Sequence, residues 1–157
     1  MKKIGAIIFL SAVCAISNAQ DISGTWKGSL TLGPGGCFPV YNIELNITLK
    51  GNDITGTSYH YSDITNYVKE EFDGLFNPTQ HRVIVNELKV MTFHVPVDCV
   101  PCIKNFSLYH TKEGNKESLV GEMSGKMMNG SGNCPPGRIK LTRITEGKFK
   151  DIEKASE

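Results

Sequence analysis

Residues 40–50, VYNIELNITLK, alternate without a break. Tyr41, Ile43, Leu45, Ile47 and Leu49 fall on one side, and Asn42, Glu44, Asn46, Thr48 and Lys50 on the other. Strict period two over this length predicts a strand with one buried face and one wet face. The preceding segment, ISGTWKGSLTL (22–32), puts Trp26, Leu30 and Leu32 on one face, with Thr25, Lys27, Ser29 and Thr31 opposite. GND then marks a tight turn before ITGTSYHY (54–61). Five further strands are predicted at 67–76, 82–93, 103–110, 118–127 and 138–144, with breakers such as NPTQ, KEGNK and MNGSGNCPPG between them. Only the tail, TEGKFKDIEKASE, lacks strand character.

Eight strands in sequence with no linker predict an all-β domain, an eight-stranded antiparallel up-and-down β-barrel. Closing the sheet removes its exposed edges. A β-sandwich is the alternative. Its immunoglobulin form orders Cys, Trp, Cys, whereas the single Trp here precedes Cys37, Cys99, Cys102 and Cys134.

A meander alternates its connections between two ends. The second, fourth and sixth connections, GND, NPTQ and KEGNK, are short and share one end. The first, fifth and seventh, GPGGCFP, HVPVDCVPC and NGSGNCPPG, share the other with SDIT, and hold those four cysteines. One end is therefore tight, and the other is a rim of longer Pro- and Gly-rich loops.

The first nineteen residues read as a signal peptide. Lys2 and Lys3 precede a mostly apolar run, and Ser-Asn-Ala ends at Ala19. The run is too short for a spanning helix, which needs roughly 20 apolar residues. Its junction before Gln20 resembles those of exported bacterial proteins. Cys14 follows Val13, where a lipidation signal needs Gly or Ala, so a lipid-anchored form is disfavoured. The expected organisation is 1–19 signal peptide, 20–145 barrel and 146–157 charged tail, in the periplasm or secreted. Loss of Lys2 and Lys3 with the leader leaves 15 basic against 16 acidic residues, with no basic run. Nucleic acid is therefore not an expected partner.

In an exported protein the four cysteines default to disulfides. On closure the first and seventh loops lie about two strand spacings apart, roughly 10 Å, whereas the first and fifth face each other across the mouth. Cys37–Cys134 with Cys99–Cys102 is thus the expected pairing. CVPC (99–102) also resembles a thioredoxin motif, but a strand follows it where a helix N-terminus would be needed. Four rim thiolates would suit zinc only in a reduced state. No cofactor and no metal are expected.

Gly24-Thr25-Trp26, opening the first strand of a meander, resembles the Gly-x-Trp signature of the calycin superfamily, which includes lipocalins, fatty-acid-binding proteins and avidins. The resemblance implies a Trp-closed floor beneath a basic side chain from the end of the last strand, and Arg143 stands there. The lack of other tryptophans sets the chain apart from biotin binders.

Other chemical signals have plain readings. Glu70 and Glu71 are adjacent, so they point to opposite faces of a strand and read as an outward acid beside a rim or floor contact. His60, His81, His94 and His110 show no metal spacing and read as surface or loop residues. Tyr59 and Tyr61 share one face of their strand and His60 takes the other, so either set is a candidate for facing a ligand. Met123 and Met127 share a face with Gly121 and Gly125, a combination suited to core packing or to an adaptable pocket. The expected function is a lipocalin-like barrel binding a small apolar or amphipathic molecule at its open end. The alternatives are an extracytoplasmic protein-interaction module with a filled interior, and a thiol or zinc protein using Cys99 and Cys102. No catalytic residue is assigned, and the balance is against an enzyme.

Overall fold

The computed structural model describes residues 20–144. The leader, Cys14 and the charged tail lie outside the described residues. Eight strands follow in chain order: β1 (Gly24–Leu32), β2 (Val40–Lys50), β3 (Asp53–Tyr61), β4 (Tyr67–Asn77), β5 (Arg82–His94), β6 (Cys102–Glu113), β7 (Lys116–Met127) and β8 (Gly137–Arg143). Each pairs antiparallel with its neighbour, and β8 returns to β1, closing one barrel. One closed sheet rules out the sandwich.

Alternation decides what the barrel holds. Trp26 and Leu30, Ile43, Leu45 and Ile47, Val83 and Val85, and Leu108, Leu119 and Leu141 all point inward and are buried. Burying one such side chain contributes about 1.5–3 kcal/mol. Glycines allow the strands to coil this tightly. A Cβ on Gly28 would lie 1.9 Å from the Lys140 carbonyl oxygen of the adjacent strand. Gly121 would similarly drive a Cβ into Ser107 O at 2.0 Å, so it admits the β6 backbone and opens no space beside Met123.

The tight end is closed by Trp26, whose Nε1 donates to Ile22 O at 2.9 Å. Arg143 pairs with Trp26 in the β1–β8 register and sets its guanidinium 5.3 Å from the indole centroid. That contact is worth about 0.5–2 kcal/mol. The same guanidinium donates to Glu117 Oε2 at 3.0 Å, to Asp21 O at 2.8 Å and to Ser23 O. Gly24, with φ +124°, lies beneath it, where a Cβ would sit 3.7 Å from Arg143 Nε.

The wall is uneven at the other end. β5 pairs with β6 only from Arg82 to Asn86, then continues along β4 alone to His94. Two register shifts in the β4–β5 ladder leave Leu88 and Met91 without direct partners, as bulged residues do. Beyond Asn86 the two strands diverge, and residues 95–101 connect them across the mouth.

All four described cysteines sit at this end, but their pairing differs from the expected one. Cys37 bonds Cys99 and Cys102 bonds Cys134, with Cα separations of 5.8 and 6.1 Å. The divergence of β5 explains the first bridge, because a loop that starts outside the wall must cross the mouth to re-enter it at β6, which brings Cys99 to the first loop. The second bridge follows from neighbouring registers. Cys102 pairs with Met127 and Lys126 bridges Asn133, which sets Cys134 beside the start of β6. Cys99 and Cys102 therefore bond two different rim loops, the first and the seventh.

Candidate functional site

The inward positions near the mouth are polar. On β3, the parity that buries Ile54 carries Ser58 and His60; on β4, Glu70 lies between Val68 and Phe72. On β5, Glu87 follows Val83 and Val85, and on β6, Lys104 precedes Phe106 and Leu108. Four neighbouring strands thus place five polar side chains in one layer just beneath the rim, all of them buried.

Glu87 is the hub of this layer. Its Oε1 accepts from Ser58 Oγ and His60 Nε2, both at 2.7 Å. Its Oε2 accepts from the Lys104 backbone amide at 2.8 Å and from Lys104 Nζ at 3.3 Å. The amide bond has a structural cause. Lys104 lies where β6 has lost β5 as a partner, and the Glu87 carboxylate takes the place of the missing strand carbonyl. Lys104 Nζ also donates to Glu70 Oε2 at 3.1 Å and to Cys102 O at 2.7 Å, so its three protons have three acceptors. His60 Nε2 is also 3.3 Å from Glu70 Oε2. Two buried atoms, His60 Nδ1 and Glu70 Oε1, have no hydrogen-bond partner.

The charges govern one another. Burial alone would push Glu87 up, but Lys104 and His60 hold it far below the usual carboxylate range. Burial does prevail at Glu70, whose pKa is raised. At His60, burial and Lys104 both oppose the charged ring, yet the charge of Glu87 and hydrogen bonds to both carboxylates keep its pKa above the ordinary histidine value. Lys104 is likewise raised against its burial by Glu87 and Glu70. Each of the two basic groups thus lies within ion-pair distance of both carboxylates.

Donor atoms of His60, Glu70 and Glu87 lie within 4.8 Å of one another, a set that could ligate a divalent cation. The Lys104 ammonium bridges the two carboxylates at that point and supplies the positive charge itself.

Above this layer a cavity of about 210 Å³ opens beneath the rim loops. Its walls are Leu32, Phe38, Tyr41, Val68, Val95, Val100 and Met127 with Cys37, Cys99 and Cys102, Asp98 stands at its exposed rim, and His60 and Lys104 reach it from below. Glu70 and Glu87 do not line it. A molecule entering the mouth would meet an apolar collar and then an imidazole and an ammonium.

The residues singled out from sequence distribute as follows. Met127 lines the cavity, whereas Met123 is core. Tyr59 and Tyr61 stack at 4.9 Å on the outer face, with Tyr67 5.9 Å from Tyr59, so His60 is the inward member of that strand. The surface reading of the histidines fails for two of the four. His60 is in the polar layer, and His110 is buried against Trp26 with Nε2 3.0 Å from Glu117 Oε2. Glu70 is the inward member of its pair, and the outward Glu71 contacts Lys89 at 2.9 Å. Glu87 and Lys104 carried no motif, although each breaks an apolar parity. With every described cysteine in a disulfide, CVPC presents neither a dithiol nor zinc-ligating thiolates.

A scan of protein-family models finds no match to this chain, and a search of curated proteins finds none either.

Proposed function

We propose that this chain is an exported, lipocalin-like barrel that takes one small amphipathic molecule into its mouth. The observation carrying this reading is the apolar cavity of about 210 Å³ with two basic side chains at its base. Pockets for drug-sized ligands run to about 300–1,000 Å³, so the ligand is small or leaves part of itself in the opening. Two disulfides support an oxidising, extracytoplasmic setting. Among the described residues no helix is long and apolar enough to cross a membrane.

The reading is tested with an environment-sensitive apolar dye and by native mass spectrometry. Wild-type protein is expected to bind one dye molecule per barrel. Met127→Trp, which puts an indole into the cavity from a half-buried position, is expected to abolish binding with the fold intact by circular dichroism. Equal dye binding by the folded variant would remove the cavity as the site.

A second reading, a protein-interaction module, is favoured by the diverging half of β5. Leu88, Met91 and Phe93 are about half exposed beside a strand edge that β6 does not cover, the kind of edge to which a partner can add a strand. Under this reading, wild-type protein forms a larger species with rising concentration in size-exclusion chromatography, and a Met91→Lys, Phe93→Lys double variant does not. Monomers at every concentration for both would end the self-pairing form of it.

A further inference from the structure

We propose that the cysteine-bearing end of the barrel docks on a zwitterionic lipid surface, with the tips of its rim connections inserted among the lipids. This surface belongs to the rim and is independent of what the cavity holds.

Every connection at this end presents, at its tip or its margin, a large apolar side chain to solvent. Ile64 tips the loop between β3 and β4 and is 92 % exposed, and Val97, in the loop between β5 and β6, is fully exposed. Val40, at the entry to β2, and Met128, just past the end of β7, are exposed as well. The short connections of the tight end read Gly-Asn (51–52), Pro-Thr-Gln-His (78–81) and Gly-Asn (114–115), and offer no such side chain. One exposed aliphatic residue is ordinary on any protein. Apolar groups on all four connections of one end, and on none of the three at the other, set that end apart.

The rim holds these tips in a fixed frame. Cys37–Cys99 ties the first connection to the fifth. The Met128 amide donates to Pro101 O at 2.9 Å, which joins the seventh to the fifth. His94 Nδ1 donates to Thr65 O, which seats the third against the end of β5. Asp63 braces the third from within, accepting from the amides of Thr65 and Asn66 at 2.8 and 2.9 Å. Side chains carried on an ordered frame lose less entropy on docking.

Shape and composition point to lipid. The tips stand around the opening of the cavity, a shape that a fluid surface accommodates and a rigid partner must match. Behind Ile64, Tyr61 pairs with Tyr67 across β3 and β4, and Tyr59 stacks on Tyr61 at 4.9 Å, all three half-buried on the outer wall. Amphipathic rings behind apolar tips suit the boundary between headgroups and acyl chains. Charge then selects the headgroup. Anionic membranes attract clusters of Lys and Arg, whereas the four rim connections contain neither and carry only Asp63 and Asp98. A surface without net charge is the one these acids do not oppose.

The test is flotation with phosphatidylcholine vesicles, using the exported protein freed of its apolar leader so that only the barrel can bind. Wild-type protein is expected to float with the vesicles, unchanged by salt and no more strongly when phosphatidylglycerol is added. Ile64→Asp, Val97→Asp together should weaken the partition by about a hundredfold, about tenfold for each aliphatic tip kept in water, with the fold intact by circular dichroism. Leu75→Asp, at a 54 % exposed position on the outer wall toward the tight end, should float as the wild type does. In Ile64→Trp the new indole should be quenched by brominated lipid, while Trp26, enclosed in the floor, should not. Wild-type protein that stays in the buffer overturns the proposal, as does a folded double variant that floats equally well. Binding that requires phosphatidylglycerol and vanishes in salt overturns the zwitterionic assignment. Oligomers that form with rising concentration, without flotation, overturn the lipid partner and assign the rim to a second copy of the chain.

Discussion

Glu87→Ala is expected to destabilise the barrel by about 3–5 kcal/mol, the cost of stripping one side from a buried charge network. Four donors lose their acceptor at once: Ser58 Oγ, His60 Nε2, the Lys104 amide and Lys104 Nζ. The amide is the one that cannot adapt, because β5 has already left β6 at that level. Glu71→Ala is the matched control on the outer face. Its carboxylate meets Lys89 at 2.9 Å, but the two side chains are 40 % and 66 % exposed, so the loss should not exceed about 1 kcal/mol. Urea unfolding of both variants decides the matter, and a Glu87→Ala loss as small as that of Glu71→Ala would deny the hub role.

The pH profile of stability carries the same signature with a definite sign. Glu87 is held below its ordinary value, so its stabilisation is present in full above the usual carboxylate range and is lost as pH falls through its folded value. His60 is raised, so its contribution is present in full below the ordinary histidine value and lost as pH climbs through the folded one. Glu70, raised by burial, works the other way from Glu87 and favours the folded state on its acid side. Wild-type stability should therefore be greatest between the carboxylate and histidine ranges, and Glu87→Ala should flatten the alkaline shoulder by removing the anion that holds the His60 proton.

Much of this architecture is legible in the alternation of side chains. The inward face of β2 is explicit in Tyr41, Ile43, Leu45, Ile47 and Leu49, and the parity of connections places every described cysteine at one end. The polar layer was legible in principle from the same rule. Glu70 interrupts Val68 and Phe72, Glu87 continues Val83 and Val85, and Lys104 opens the series Phe106 and Leu108. Each alone resembles an ordinary strand end. Only their shared height, set by the registers of four strands, makes them a cluster. The cysteine pairing was not legible, because it depends on β5 abandoning β6. The two bulges that accompany this departure, at Leu88 and Met91, leave no mark in the sequence beyond a lapse of alternation in NELKVM.

The disulfide prediction follows from that departure. Removing Cys37–Cys99, whose cysteines are 62 residues apart, should lower stability by up to about 4.3 kcal/mol by loop entropy, and removing Cys102–Cys134, separated by 32, by up to about 3.7 kcal/mol. The two losses are close, but their local consequences differ. Cys102–Cys134 joins segments that the β6–β7 ladder already holds together through Cys102 and Met127. Cys37–Cys99 instead ties the loop crossing the mouth to the first loop, and both line the cavity. Hydrogen exchange at residues 95–101 should therefore quicken in Cys37→Ser, Cys99→Ser far more than in Cys102→Ser, Cys134→Ser, with loss of dye binding confined to the former. Pairing itself is read from the single variant Cys37→Ser, in which alkylation under non-reducing conditions should mark Cys99. A label on Cys134 would show that the first and seventh loops are joined instead, and the loop over the mouth would then have no covalent anchor at Cys37.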